Sequence, residues 1–172
     1  MVSVYLGIGS NIDREKNIRA AVSGLTEKFG ELLLSSVYES RAYGFEGNNF
    51  YNLVAGFDTD LEIRELMDFL RGMEISCGRE KQSKQFTPRS IDLDLLLYGD
   101  LVQHDNEIDI PRDDINRYAF VLCPLAQIAP LKKHPESGET FLSLWQSFED
   151  KEQKLWPVEF SFEKTHLTRE SL

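Results

Sequence analysis

Pro88-Arg89-Ser90-Ile91-Asp92-Leu93-Asp94-Leu95-Leu96-Leu97-Tyr98-Gly99 is the stretch on which the fold turns. It reads as a β-strand with two carboxylates on an otherwise apolar segment. Alternate residues of a strand share a face. Ile91, Leu93, Leu95 and Leu97 are therefore expected to point one way, and Asp92 and Asp94 the other. The two aspartate Cα atoms would then lie about 6.6 Å apart, two strand rises. Side chains converging from such positions can hold one or two hard cations through oxygen ligands. Two like charges on a half-buried strand are unfavourable without a cation. The plainer alternative is a strand whose polar face is simply solvated.

Immediately upstream, residues 79–89 carry Arg79, Lys81, Lys84 and Arg89 against the single acid Glu80. The whole chain has a net charge of −10, from 19 Lys and Arg against 29 Asp and Glu. A basic loop in an acidic protein suits one specific anion, because the overall field repels a polyanion such as DNA. A solvated loop is the ordinary alternative. Here the cations lead directly into the aspartates, and a nucleoside triphosphate needs both.

The 172 residues suffice for one domain with a good core. We expect that domain over residues 1–160 and a mobile tail over 161–172. No stretch approaches 18 apolar residues, so no membrane span is expected. Met1 to Gly7 lacks a basic start and reads as a strand rather than a secretory leader. Cys77 and Cys123 lack metal-ligand spacing and read as free thiols of a cytoplasmic protein.

Hydrophobic spacing gives a strand from Val2 to Ile8 and a helix through Ile18, Val22, Leu25 and Phe29 that stops at Gly30. A second strand is expected over Leu32 to Glu39. A third runs from Phe50 to Thr59, with Phe50, Asn52, Val54 and Gly56 on one face. A second helix carries Leu61, Leu66, Phe69, Leu70 and Met73 and stops at Gly78, before the basic loop and the Asp-x-Asp strand. The order β-α-β-β-α-β is that of an α+β, ferredoxin-like split-βαβ antiparallel sheet with both helices on one face. A C-terminal helical extension follows. In it, Leu101-Val102 and Glu107 to Ile110 read as short strands, and Asp113 to Ala129 as a helix interrupted by Pro124. A further helix is expected around Phe141 to Phe148, and a last strand over Val158 to Phe162.

Taken in order, Tyr5-x-x-x-Gly9-Ser10-Asn11, Phe50-Tyr51-Asn52, Glu74-x-x-x-Gly78-Arg79, Pro88-Arg89-x-x-Asp92-x-Asp94-x-Leu96-Leu97-Tyr98-Gly99 and Phe120-Val121-Leu122-x-Pro124-Leu125 resemble one family. It is the 6-hydroxymethyl-7,8-dihydropterin pyrophosphokinase family of folate biosynthesis. The resemblance implies transfer of the terminal pyrophosphoryl group of ATP to the hydroxymethyl group of a reduced pterin, leaving AMP. It implies that Asp92 and Asp94 hold two Mg²⁺ ions, with ATP as co-substrate. Arg79 and Arg89 would act with these aspartates at the reacting phosphates. Lys81, Leu95 and Arg112 would complete the ATP site. Phe50 and Phe120 would sandwich the pterin, Asn52 would read its hydrogen-bonding rim, and Ser40 and Tyr43 would add contacts.

For Phe50 and Phe120 plain core packing is the alternative, and for Ser10 and Asn11 a helix cap. Glu74 is expected to brace Arg79 or Arg89. The partners implied are small-molecule substrates, with no nucleic acid and no membrane, and a monomer suffices. The chain departs from the family pattern at Gln85-Phe86-Thr87, where Arg-Trp-Gly is usual, and at Tyr118, where Arg is common. These changes leave open a catalytically degenerate pterin- or nucleotide-binding paralogue. An interaction module acting through the acidic surface would leave the basic loop unexplained.

Overall fold

In the computed structural model, which describes residues 1–42, 44, 46–77 and 90–162, Val2–Ser10 (β1) lies antiparallel between two partners. On one side is Phe50–Thr59 (β4) and on the other Asp92–Tyr98 (β5). Leu33–Leu34 (β2) and Tyr38–Ser40 (β3) pair with β4, and Leu155–Pro157 (β8) adds to β3. The resulting order is β5-β1-β4-β3-β8. With Arg14–Phe29 (α1) between β1 and β2, and Ile63–Ser76 (α2) between β4 and β5, this is the ferredoxin-like arrangement.

Both helices cover one face. α1 buries Ile18, Ala21, Val22 and Leu25, spaced at three and four residues, against Val4, Leu6, Ile8, Leu53 and Ala55. It ends at Gly30, whose φ of 81° only glycine adopts readily and whose N–H donates to the Thr26 carbonyl. α2 adds Leu66 and Leu70 to the same core. The opposite face carries a second cluster, in which Val54, Leu96 and Leu97 meet Ile115, Leu122, Leu125 and Phe141. These come from Asp114–Arg117 (α3), Ala119–Ile128 (α4) and Phe141–Gln146 (α5). The site lies between this second layer and the sheet.

β4 follows the expected alternation throughout its length. β5 does so only as far as Leu95. A bulge between the pairs Tyr5–Leu97 and Leu6–Leu95 inserts Leu96 as an extra residue. Leu97 therefore joins Leu96 on the aspartate face instead of Leu95 on the other. The expected second strand is split into β2 and β3 at Ser35, whose N–H still donates to the Val54 carbonyl at 3.0 Å while its hydroxyl accepts the Val54 N–H at 2.9 Å.

The extension differs more. Its hairpin pairs Gln103–His104 (β6) with Asp109–Ile110 (β7). The break between α3 and α4 falls at Tyr118, whose backbone is extended. Pro124 lies inside α4, where its missing N–H cannot supply the bond to the Phe120 carbonyl. Val158, Phe160 and Phe162 are not a strand; they follow β8 and pack against the α1 face. No helix among the described residues is long and apolar enough to cross a membrane.

Candidate active site

β5 is pinned on either side of Asp92. The Ser90 carbonyl accepts from the Ser10 hydroxyl and, at 3.2 Å, from Asn17 Nδ2. The Leu93 N–H donates to Glu74 Oε1 at 2.8 Å. Ser10 is thus a buried pin, while Asn11 lines a separate polar depression with Arg14, Glu39 and Asn49. Asp13, not Asn11, stands at the start of α1, and its side chain caps nothing. Glu74 grips the backbone between the two aspartates; the arginines that it is expected to brace, Arg79 and Arg89, lie outside the described residues.

Asp92, Asp94 and Leu96 open into a cavity of about 240 Å³ with Gly7, Gly9, Ser40, Phe50, Asn52 and Phe120. Asp94 is also part of a neighbouring cleft of about 290 Å³ with Leu70, Leu93, Leu95, Ile110 and Arg112. Asp94 Oδ1 lies 3.3 Å from Arg112 Nη2, and Arg112 Nε donates to Asp114 Oδ2 at 2.8 Å. Burial pushes the Asp94 carboxyl up to about 6. Arg112 opposes this shift, and the charges of Asp92, Asp114 and Glu74 add to it. A cation placed there would relieve the crowding.

In the cavity's polar corner, Asn52 Nδ2 donates to Ser40 Oγ at 2.9 Å, both residues being buried. Gly9 makes room for this amide, since a Cβ there would stand 2.9 Å from Asn52 Oδ1. Phe120 projects from the first turn of α4 and stacks on Tyr118, with centroids 5.0 Å apart at 16°. Among the described residues no three His, Cys, Asp or Glu form a closed metal cage. The donor set that remains is two carboxylates facing an open cavity. It fits a hard cation such as Mg²⁺, which takes its other ligands from phosphate and water.

The model of the 7,8-dihydro-6-hydroxymethylpterin-pyrophosphokinase family matches residues 5–130, from within β1 to just beyond α4. The chain belongs to this family. One relative is the 2-amino-4-hydroxy-6-hydroxymethyldihydropteridine pyrophosphokinase of Aquifex aeolicus, 39% identical over 78% of this chain and 85% of that one. The enzyme of the same name from Synechocystis is 33% identical over 89% of this chain and 78% of its own. Among solved structures, wild-type HPPK-DHPS of Plasmodium falciparum superposes with a TM-score of 0.66 at 14% identity, over 84% of this chain. This chain spans 44% of that longer one.

Of the residues that the family pattern selects, Ser40, Phe50, Asn52, Asp92, Asp94 and Phe120 meet in one cavity. Leu95 and Arg112 line the adjoining cleft. Tyr43, Arg79, Lys81 and Arg89 lie outside the described residues, as do Gln85, Phe86 and Thr87. The sequence reading missed Asn17, Asp114 and the wall contributed by Tyr118. Tyr118 was visible only as a departure from the family pattern, and Asn17 and Asp114 gave no signal at all.

Proposed function

We propose that the cavity over Asp92 and Asp94 takes 6-hydroxymethyl-7,8-dihydropterin and the adjoining cleft takes ATP, and that the chain joins the two in folate biosynthesis. The chain is a pyrophosphokinase: the pterin hydroxymethyl oxygen bonds to the β-phosphorus of ATP and gives up its proton to solvent, the bond from that phosphorus to the α-phosphate oxygen breaks, and AMP leaves. The observation that carries this assignment is the shared position of Asp94, which faces both the cavity and the cleft.

Phe50 and Phe120 offer two aromatic faces for a flat heterocycle, and the Asn52 amide can donate and accept along its rim. Ser40 fixes that amide, and by the family pattern Tyr43 adds a contact to the pterin. Leu70, Leu93, Leu95 and Ile110 give the cleft an apolar wall for a nucleobase. Arg112, held by Asp94 and Asp114, presents a permanent cation at its mouth. By the family pattern Arg79, Lys81 and Arg89 meet phosphate oxygens. Asp92 and Asp94 hold Mg²⁺, two ions with the triphosphate bound. When bound, the metal offsets the negative charge of the phosphate oxygens. The rest is positioning in a site that holds both reactants together. The working unit is taken as a monomer, and two free thiols support a cytoplasmic setting.

The direct test is AMP formation from ATP and the reduced pterin. AMP should appear only with both substrates and Mg²⁺ present. Pterin binding without any AMP would instead identify a degenerate paralogue, and failure to bind pterin would refute the assignment.

A further inference from the structure

Residues 150–157 lie beyond the part of the chain matched by the family model, yet they bond to the backbone that carries both walls of the cavity. At one end β8 pairs with β3, setting Leu155 opposite Ser40, which lines the cavity and holds Asn52. Two residues earlier, Gln153 reaches the opposite wall. Its Oε1 accepts the Ala119 N–H at 3.0 Å, and its Nε2 donates to the Arg117 carbonyl at 2.8 Å. Nε2 also donates to Asp150 Oδ2 at 3.0 Å, and Asp150 Oδ1 accepts the Glu152 N–H.

Those two backbone groups flank Tyr118, the extended residue that separates α3 from α4. The first N–H of a helix has no partner within it. No side chain at Tyr118 caps α4. Gln153 supplies that cap from 34 residues away in the chain. The turn so fixed is the one from which Tyr118 and Phe120 stack and face the cavity.

We propose that Gln153 is a positioning residue for the pterin cavity: through the Arg117 carbonyl and the Ala119 N–H it sets the Phe120 wall at a fixed spacing from the Ser40–Asn52 corner that β8 holds. This role rests on the pterin assignment above. Gln153 works by holding Phe120, not by touching the ligand.

The test is a cycle of pterin affinities, titrated without ATP, for the parent, Gln153→Leu, Phe120→Ala and the double variant, with a nucleotide analogue titrated in parallel. Q153L should weaken pterin binding roughly three- to tenfold, the span of a single hydrogen bond. Nucleotide affinity should be unchanged. In the F120A background Q153L should have no further effect, because the wall that it holds is gone. Gln153 is partly exposed, so Gln153→Ser, which reaches neither partner, gives a second variant with the same expectation should Q153L fail to fold. Undiminished pterin binding in Q153L or Q153S, or equal weakening with and without Phe120, would overturn the proposal. If F120A itself bound pterin as the parent does, the cavity assignment would fall, and the role of Gln153 with it.

Discussion

Replacing Gly9 by alanine should injure the pterin corner specifically. The backbone at Gly9 is not in the positive-φ region, so a side chain is excluded by space alone. The new Cβ would stand 2.9 Å from Asn52 Oδ1. Asn52 cannot swing aside freely: it is 6% exposed and its Nδ2 is bonded to Ser40. Displacing it forfeits about 1 kcal/mol for the hydrogen bond and leaves a buried amide short of a partner at about 1–3 kcal/mol more. Losing a glycine's freedom in the unfolded chain returns about 0.4–1 kcal/mol. The net loss is about 1–3 kcal/mol, or roughly 3–10 °C in Tm for a chain of this size. Thermal unfolding and pterin titration read the two consequences, and pterin affinity should fall with Tm. Gly7→Ala is the control, because its Cβ would meet Leu96 and the Asp94 carbonyl at ordinary distances of 3.6 and 3.7 Å. In an Asn52→Ala background the Gly9→Ala penalty should vanish, the obstructing amide being gone. A Tm for G9A equal to the parent's, or a penalty that persists without Asn52, would refute the reasoning.

Asp92→Ala and Asp94→Ala should each lower turnover by at least roughly a hundredfold, about the loss of one electrostatic stabiliser of ~3 kcal/mol, with Tm retained; steady-state AMP release with circular dichroism decides this. Phe50→Ala should weaken pterin binding by about 1–3 kcal/mol and leave ATP binding alone, and calorimetric titration of each ligand separates this from mere core packing. His104 bonds Asp109 at 2.6 Å and Glu136 at 3.1 Å, and these partners, Asp109 foremost, raise its pKa above the ordinary 6.5. A raised folded-state pKa favours the charged imidazole. Its contribution is therefore complete below the unfolded value and is lost as pH rises through the folded one. The Tm difference between the parent and His104→Gln should be widest near about pH 5.5 and close to zero by about pH 9. A difference that grew with pH would rule out the ion pairs as its source.

Much of the site could be read from the chain because its residues sit on regular strands. β4 is a central strand flanked on both sides, so its alternation is uninterrupted and places Phe50 and Asn52 on the cavity face. β5 places Asp92 and Asp94 on that same face for the same reason. Periodicity failed at Leu97, because a bulge shifts the phase of everything after it and Leu96-Leu97 carries no mark of one. Pro124 suggested a break that the tertiary packing of α4 overrides, while the real break at Tyr118 is set by a backbone conformation no residue type announces. Asn17 and Gln153 act through hydrogen bonds to distant backbone, and Asp114 through an ion pair with the Arg112 side chain. Local pattern is silent about such contacts, whatever the strength of the family resemblance.

Among the described residues β5 terminates the sheet, so the aspartates stand on an edge strand. An edge with free backbone donors and acceptors is a template for pairing with another chain. Here two of those groups are occupied by the site's own neighbours: Glu74 takes the Leu93 N–H, and the Arg112 N–H covers the Leu96 carbonyl at 3.0 Å. The residues that brace the carboxylates therefore also guard the molecule against self-association. Stripping Glu74 would free the Leu93 N–H on this edge, and light scattering of Glu74→Ala beside the parent should show self-association that the parent lacks.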